Sequence, residues 1–205
     1  MAILETVGHW VINLISATGY AGIFLAMAIE SCLIPLPSEV TMPFAGALAA
    51  SGELNLILVS LAGAFGNLVG SWGAYFIGVK FPESAIIRFL ERWGKFILIT
   101  PHEYEKAKSW LAKYGSLVSF FSRLLPGIRT VISLPCGVAK INFTKFSILT
   151  FLGSLIWSFL LAFIGYKLGE NWVSIKQYFH KLDLVIIIGI FAAIGIYVYM
   201  HLKKK

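Results

Sequence analysis

The stretch AIESCLIPLPSE, residues 28–39, decides how the chain is to be read. It follows an uncharged apolar run and leads into another, yet it carries Glu30, Pro35, Pro37 and Glu39. In a soluble protein these residues would mark a surface loop. Composition excludes that: 58% of the 205 residues are hydrophobic and 13% charged, about half the charged share of a soluble domain. Mean hydropathy is +0.82. The chain reads as an all-α integral membrane protein with one membrane domain over 1–205, and the broken stretch lies at membrane depth.

Three runs are long enough to cross a bilayer or nearly so. Leu54–Val79 holds 26 residues without a charge, Phe146–Tyr166 holds 21 and Leu184–Met200 holds 17, against about 20 apolar residues for a span. The third completes a C-terminal span over 183–202 if Tyr197, Tyr199 and the terminal lysines anchor it at the interface. Charge is spread unevenly around these runs. No lysine or arginine occurs from Val7 to Val79, whereas 80–113 holds seven basic residues and the chain ends in three lysines. Positive charge favours the cytoplasmic face, so 80–113 and the C-terminus are expected there. The net charge of +7 suits anionic lipid head groups; no basic patch outside this context points to nucleic acid.

Two further stretches are apolar but broken. One runs over 19–52 and includes Glu30, Pro35, Pro37, Glu39 and Pro43; the other runs over 114–140 and includes Arg123, Pro126, Gly127, Arg129 and Pro135. Proline and glycine end or kink helices, and irregular backbone at membrane depth survives only where protein or a wet cavity covers it. Both are read as re-entrant hairpins. Between them, SAIIRFLERWGKFIL puts Arg88, Glu91, Arg92 and Lys95 on one helical face, which predicts an amphipathic surface helix rather than a solvated loop. Thr100-Pro101-His102-Glu103 predicts the capped start of a second.

The two halves repeat in order. Tyr20 pairs with Tyr114, Gly46 with Gly137, Ser60–Gly63 with Thr150–Gly153, and Phe76–Lys80 with Phe163–Lys167. The expected plan is a first repeat over 19–79, an interfacial segment over 80–113 and a second repeat over 114–168. Each repeat is a hairpin followed by a span, so the hairpins enter from opposite faces. Inverted repeats of this kind build transport sites where broken helices meet near the midplane.

The charges in the hairpins are opposed: Glu30 and Glu39 in the first, Arg123 and Arg129 in the second. Four ionised groups each facing lipid would cost on the order of 10 kcal/mol in all, so pairing between the hairpins is expected. Two arginines brought together by the Pro126-Gly127 break would suit a phosphate, whose oxygens accept the guanidinium fork bidentately. Snorkelling carboxylates at an interface, and arginines that only set topology, remain open alternatives. Cys32 and Cys136 match no metal-ligand spacing and read as small buried thiols. The first twenty residues lack a basic segment ahead of their apolar run, so no cleaved signal peptide is expected. His102 has no second histidine at helical spacing, Ser38 lacks a partner base other than Glu39, and no phosphate-binding glycine loop precedes a helix. Neither an enzyme, a metal nor another cofactor is expected. The glycines of the first span (Gly63, Gly66, Gly70 and Gly73, around Asn67) predict close helix packing.

ESCLIPLPSE followed by Ala45-Gly46, and FFSRLLPGIRTVISLPCGVAKINFTKF followed by Gly153 and Trp157, resemble the paired signatures of the DedA family of SNARE-associated, VTT-domain membrane proteins. The resemblance covers 19–169. Ile141 stands where many members have methionine, and Glu39 where aspartate is frequent. The resemblance implies a lipid flippase of the cytoplasmic membrane returning undecaprenyl phosphate for carrier-lipid recycling, with proton coupling proposed for the family. It also implies that Arg123, Arg129, Glu30 and Glu39 are required. Phosphatidylethanolamine flipping, phospholipid scrambling and proton-coupled ion or drug antiport are the alternatives. A homo-oligomer is compatible with the sequence and is not specified by it.

Overall fold

The computed structural model describes residues 12–32, 38–97, 100–125 and 128–169. The hairpin breaks Pro35, Pro37, Pro126 and Gly127 and the expected C-terminal span over 183–202 lie outside the described residues. After helical turns at 12–18, the elements are α1 (Tyr20–Ser31), α2 (Ser38–Ala50), α3 (Leu56–Lys80), α4 (Glu83–Ile97), α5 (Pro101–Tyr114), α6 (Val118–Phe121), α7 (Ile128–Val131), α8 (Ser133–Val138) and α9 (Phe143–Leu168). Short 3-10 turns stand at Gly115–Leu117 and Ser122–Leu124, and no strand occurs among the described residues.

Two of these helices are long and apolar enough to cross a membrane: α3 with 25 residues and α9 with 26. At 1.5 Å per residue each is about 37–39 Å long, more than the ~30 Å hydrocarbon core. Each starts at an asparagine. Asn55 accepts from the backbone N–H groups of Ile57 (2.9 Å) and Leu58 (3.2 Å), and Asn142 accepts from Lys145 N–H at 3.0 Å, which satisfies donors that the first helical turn leaves free. Large apolar side chains cover their outer faces, among them Leu58, Phe76, Ile148, Leu152, Ile156 and Phe159. Such a surface would associate in water and is stable only against lipid or protein.

The inner faces carry small residues, and their contacts fix the packing. Trp72 Nε1 donates to Ser147 Oγ at 2.9 Å, the Phe65 and Phe151 rings stand 4.8 Å apart, and Gly63 faces Ser158. Residue number falls on α3 as it rises on α9, so the two helices run antiparallel. α1 lies on α3, where a Cβ at Gly66 or Gly70 would overlap the carbonyl oxygens of Phe24 and Ala28. Two reciprocal glycine contacts seat the short arms. Gly46 of α2 abuts the Ala162 carbonyl of α9 while Gly165 of α9 abuts the Pro43 carbonyl of α2. Likewise Gly137 of α8 abuts the Tyr75 carbonyl of α3, and Gly78 of α3 abuts the Leu134 carbonyl of α8. A backbone carbonyl comes this close to a facing helix only where the residue it meets has no side chain to hold it off.

Apolar residues gather in two clusters. One includes Ile23, Met27, Met42, Val59, Leu161 and Ala162; the other includes Tyr75, Leu90, Tyr104, Leu134 and Phe146. On α3 the first cluster comes before Asn67 and Ser71 and the second after them; on α9 the order is reversed around Thr150, Ser154 and Ser158. A buried polar layer therefore crosses both spanning helices near their midpoints.

The two amphipathic segments are helices, as the sequence predicts. α4 exposes Arg88, Glu91 and Arg92 and buries Ile86 and Leu90. α5 opens with a reciprocal capping box: Glu103 N–H donates to Thr100 Oγ1 at 3.3 Å, and Thr100 N–H donates to Glu103 Oε2 at 2.7 Å. Lys108 of α5 reaches Glu83 of α4 at 2.6 Å, and Tyr104, Ala107 and Leu111 pack in the same cluster as Ile86 and Leu90.

Candidate functional site

The polar layer contains three buried charges: Glu30 at 3% exposure, Arg123 at 2% and Arg129 at 7%. Glu30 sits in the last turn of α1 and Glu39 in the first turn of α2, so the two ends that flank the first broken stretch present both carboxylates to the same place. Arg129 comes from the short α7 beyond the second break. Its Nη2 donates to Glu30 Oε1, to Ser38 Oγ and, at 3.4 Å, to Glu39 Oε1. Arg129 thus contacts both glutamates, across 99 and 90 residues of chain, while Arg123 contacts neither among the described ion pairs. The Arg129–Glu30 pair, buried on both sides, interacts far more strongly than it would in water, whereas Glu39 is half exposed.

Arg123 is held differently. Its Nη2 donates to Ser133 Oγ at 2.8 Å, and the described ion pairs give it no carboxylate. Its stem lies on Gly153 of α9, where an added Cβ would stand 2.9 Å from Arg123 Cβ. The Arg129 guanidinium lies 5.3 Å from the centre of the Trp157 ring, one turn further along the same helix, a cation–π arrangement. Both arginines therefore hang over successive turns of α9, about 6 Å apart along its axis. Neither is saturated: Arg129 Nη1 and Arg123 Nε are buried without a hydrogen-bond partner, as is Glu30 Oε2. A guanidinium offers five N–H donors, and those left over can take an oxyanion.

Ser38, Ser133 and Trp157 complete the cluster; sequence reasoning weighed Ser38 only as a nucleophile, named Trp157 only within the family signature and did not name Ser133. The signals for a binding role were the place of Ser38 between Pro37 and Glu39, and an indole at Trp157 in an otherwise aliphatic and phenylalanine-rich span. Nothing in the sequence marks Ser133. Cys32 and Cys136 are free thiols, and Cys136 Sγ lies 3.6 Å from Ser119 Oγ. Among the described residues no group of three or more His, Cys, Asp or Glu side chains could hold a metal ion.

Fold and site define a helical membrane protein with a charged cluster beside two antiparallel helices that are each long and apolar enough to cross a bilayer. The VTT domain model matches residues 36–167, which include Glu39, Arg123 and Arg129 and most of the enclosing helices but not Glu30, and the chain belongs to this family, the DedA proteins. It is 40% identical over 205 residues to the uncharacterized membrane protein YkoX of Bacillus subtilis, covering all of this chain and 89% of that protein. It is 33% identical to an alkaline phosphatase-like protein of Lactococcus lactis subsp. cremoris, covering 95% and 92%. It is 30% identical to the undecaprenyl phosphate transporter A of Bacillus subtilis, covering all of this chain and 96% of that protein. No solved structure matches it significantly.

Proposed function

We propose that the protein carries undecaprenyl phosphate across the cytoplasmic membrane, with Arg123 and Arg129 as the phosphate clamp and Glu30 and Glu39 as its internal counter-charges. The observation that carries the reading is the pair of buried arginines at the midpoint of the spanning helices, each with an N–H left over. A charge at that depth is expensive enough to mark a functional site. In the empty state Glu30 and Glu39 neutralise Arg129; an arriving phosphate competes for the guanidinium and releases a carboxylate, to which a proton can move. The polyprenyl tail stays in lipid beside the exposed apolar faces of α3 and α9. The name of the Bacillus subtilis transporter supports the choice of lipid.

The architecture that goes with this reading is a pair of inverted repeats over 19–79 and 114–168, each with a re-entrant hairpin, joined by a cytoplasmic interfacial segment over 80–113. The reciprocal glycine contacts support it. The sequence repeat pairs Gly46 with Gly137 and Gly78 with Gly165, and exchanging the members of each pair turns the contact between α2 and α9 into the contact between α8 and α3.

The test reconstitutes the full chain in phosphatidylcholine liposomes containing undecaprenyl phosphate and follows the lipid between leaflets. Arg123→Lys and Arg129→Lys keep the charge and lose the fork. A phosphate clamp predicts that both folded variants lose most transport. Wild-type rates in the variants refute the clamp, and wild type that moves no lipid phosphate while Glu30→Gln alters a proton flux turns the reading to ion antiport.

A further inference from the structure

Four buried polar side-chain atoms of α9 have no hydrogen-bond partner: Thr150 Oγ1, Ser154 Oγ, Ser158 Oγ and, beside Arg129, Trp157 Nε1. The three hydroxyl residues are 0%, 2% and 0% exposed. They stand four residues apart, hence one above another at ~6 Å intervals over ~12 Å of the helix. Ser122 Oγ, on the 3-10 turn that carries Arg123 and packs against α9, is also buried and unpaired. Serine and threonine inside helices ordinarily return their proton to the carbonyl four residues back, and on α3 they do: Ser60 donates to Leu56 O at 2.8 Å and Ser71 to Asn67 O at 2.5 Å. The α9 hydroxyls do not.

A row of hydroxyls alone would mean little. Here a second observation points the same way: Arg123 lies on Gly153 and Arg129 over Trp157, inside the span of the row, and each of these buried arginines has an N–H without a partner. Free donors thus stand on α9 itself and on the two arginines that lie against it at Gly153 and Trp157. Two arginines by themselves hold an oxyanion but give it no route onward. Passage needs several sites, each weak enough to leave, and neutral hydroxyls at one-turn spacing supply them.

We propose that Thr150, Ser154, Ser158 and the Trp157 indole form a hydrogen-bonding track on α9 along which the phosphate oxyanion of the lipid passes the two arginines. This rests on the arginine-clamp reading above and adds to it the path that the head group follows. The track assigns to the neutral side chains the rate of movement and to the arginines the affinity.

The triple variant Thr150→Val/Ser154→Ala/Ser158→Ala separates these roles. Polyprenyl monophosphate binding is measured by titration calorimetry on the detergent-solubilised full chain. Transport is measured in phosphatidylcholine liposomes as the fraction of that lipid open to an added phosphatase. Transport is expected to fall at least about tenfold while affinity changes less than about threefold, since the hydroxyls act on the moving oxyanion and the charged donors remain. The melting temperature should stay at or above that of wild type, because unpaired buried hydroxyls are being removed. Unchanged transport overturns the track. So does affinity lost in parallel with transport, which would make the hydroxyls part of the clamp. If the triple variant does not fold, Thr150→Val and Ser154→Ala singly give the same comparison, and failure of both to fold overturns the proposal in favour of a packing role. Wild type that neither binds nor moves polyprenyl monophosphate refutes the clamp, and the track falls with it.

Discussion

Glutamine at position 30 keeps the shape of the side chain and removes its charge from beside Arg129. The Glu30 side chain is 4% exposed and the Arg129 side chain 9%, so water screens neither. Removing one partner of a buried pair leaves the other uncompensated and costs roughly 3–5 kcal/mol. Glu39 meets the same guanidinium at 3.4 Å, but its side chain is 46% exposed, and a half-exposed pair contributes no more than about 1 kcal/mol. At about 2–4 °C per kcal/mol for a chain of this size, Glu30→Gln lowers the melting temperature by roughly 6–20 °C. Glu39→Gln lowers it by no more than about 4 °C. Combining Glu30→Gln with Arg129→Met removes both charges and restores most of the loss. Intrinsic tryptophan fluorescence of the detergent-purified chain follows the transition. Equal losses for the two glutamine variants, or a double variant that is merely the sum of its parts, would refute the assignment of Glu30 as the main counter-charge.

Three more outcomes follow from packing, capping and titration. Gly46→Ala and Gly165→Ala drive a methyl into a backbone carbonyl and should each lower stability by about 1–3 kcal/mol. Gly73→Ala meets only Cys32 Sγ at 3.2 Å, a side-chain tip able to turn away, and should leave melting unchanged or raised. Thr100→Ala removes half of the capping box and should cost about 1 kcal/mol, seen as faster amide exchange in the first turn of α5. Burial, then the nearby Glu83 and Glu105 carboxylates, push the Tyr104 phenol above its ordinary value of 10.0; the hydrogen bond to Glu83 raises Lys108 above 10.5. Both groups are favoured in their protonated forms by folding. Their contribution is therefore complete below about pH 10 and is lost as pH rises through the raised values. Ultraviolet titration should find Tyr104 ionising later in wild type than in Glu83→Gln, with α4 and α5 separating only at strongly alkaline pH.

The spanning helices were legible because uncharged length is a sufficient signal for them: Leu54–Val79 and Phe146–Tyr166 fall almost on α3 and α9. The capping box at Thr100 was legible for a similar reason, since both partners lie within one helical turn. The charged cluster was legible as a necessity more than as a geometry. Opposite charges in two apolar segments had to find each other, but the sequence treated Arg123 and Arg129 alike. The chain separates them, because Ser133 lies within reach of one and Glu30 of the other. Ser38 was weighed only as a nucleophile and set aside; its role as an acceptor for Arg129 depends on a contact 91 residues away. Nor could periodicity reveal that the Thr150 and Ser154 hydroxyls make no bond to their own helix, since Ser60 and Ser71, at comparable helical positions, do.

The reciprocal glycines have a consequence for the order of assembly. α2, early in the chain, is seated on α9, the last described helix, and α8 reaches back to α3. A short helix so placed gains its close backbone contact only once its distant partner has been made. The contacts of Arg129 with Glu30 and Glu39 span 99 and 90 residues, so the carboxylates too wait for a late part of the chain. Close packing and charge pairing are completed together, at the end.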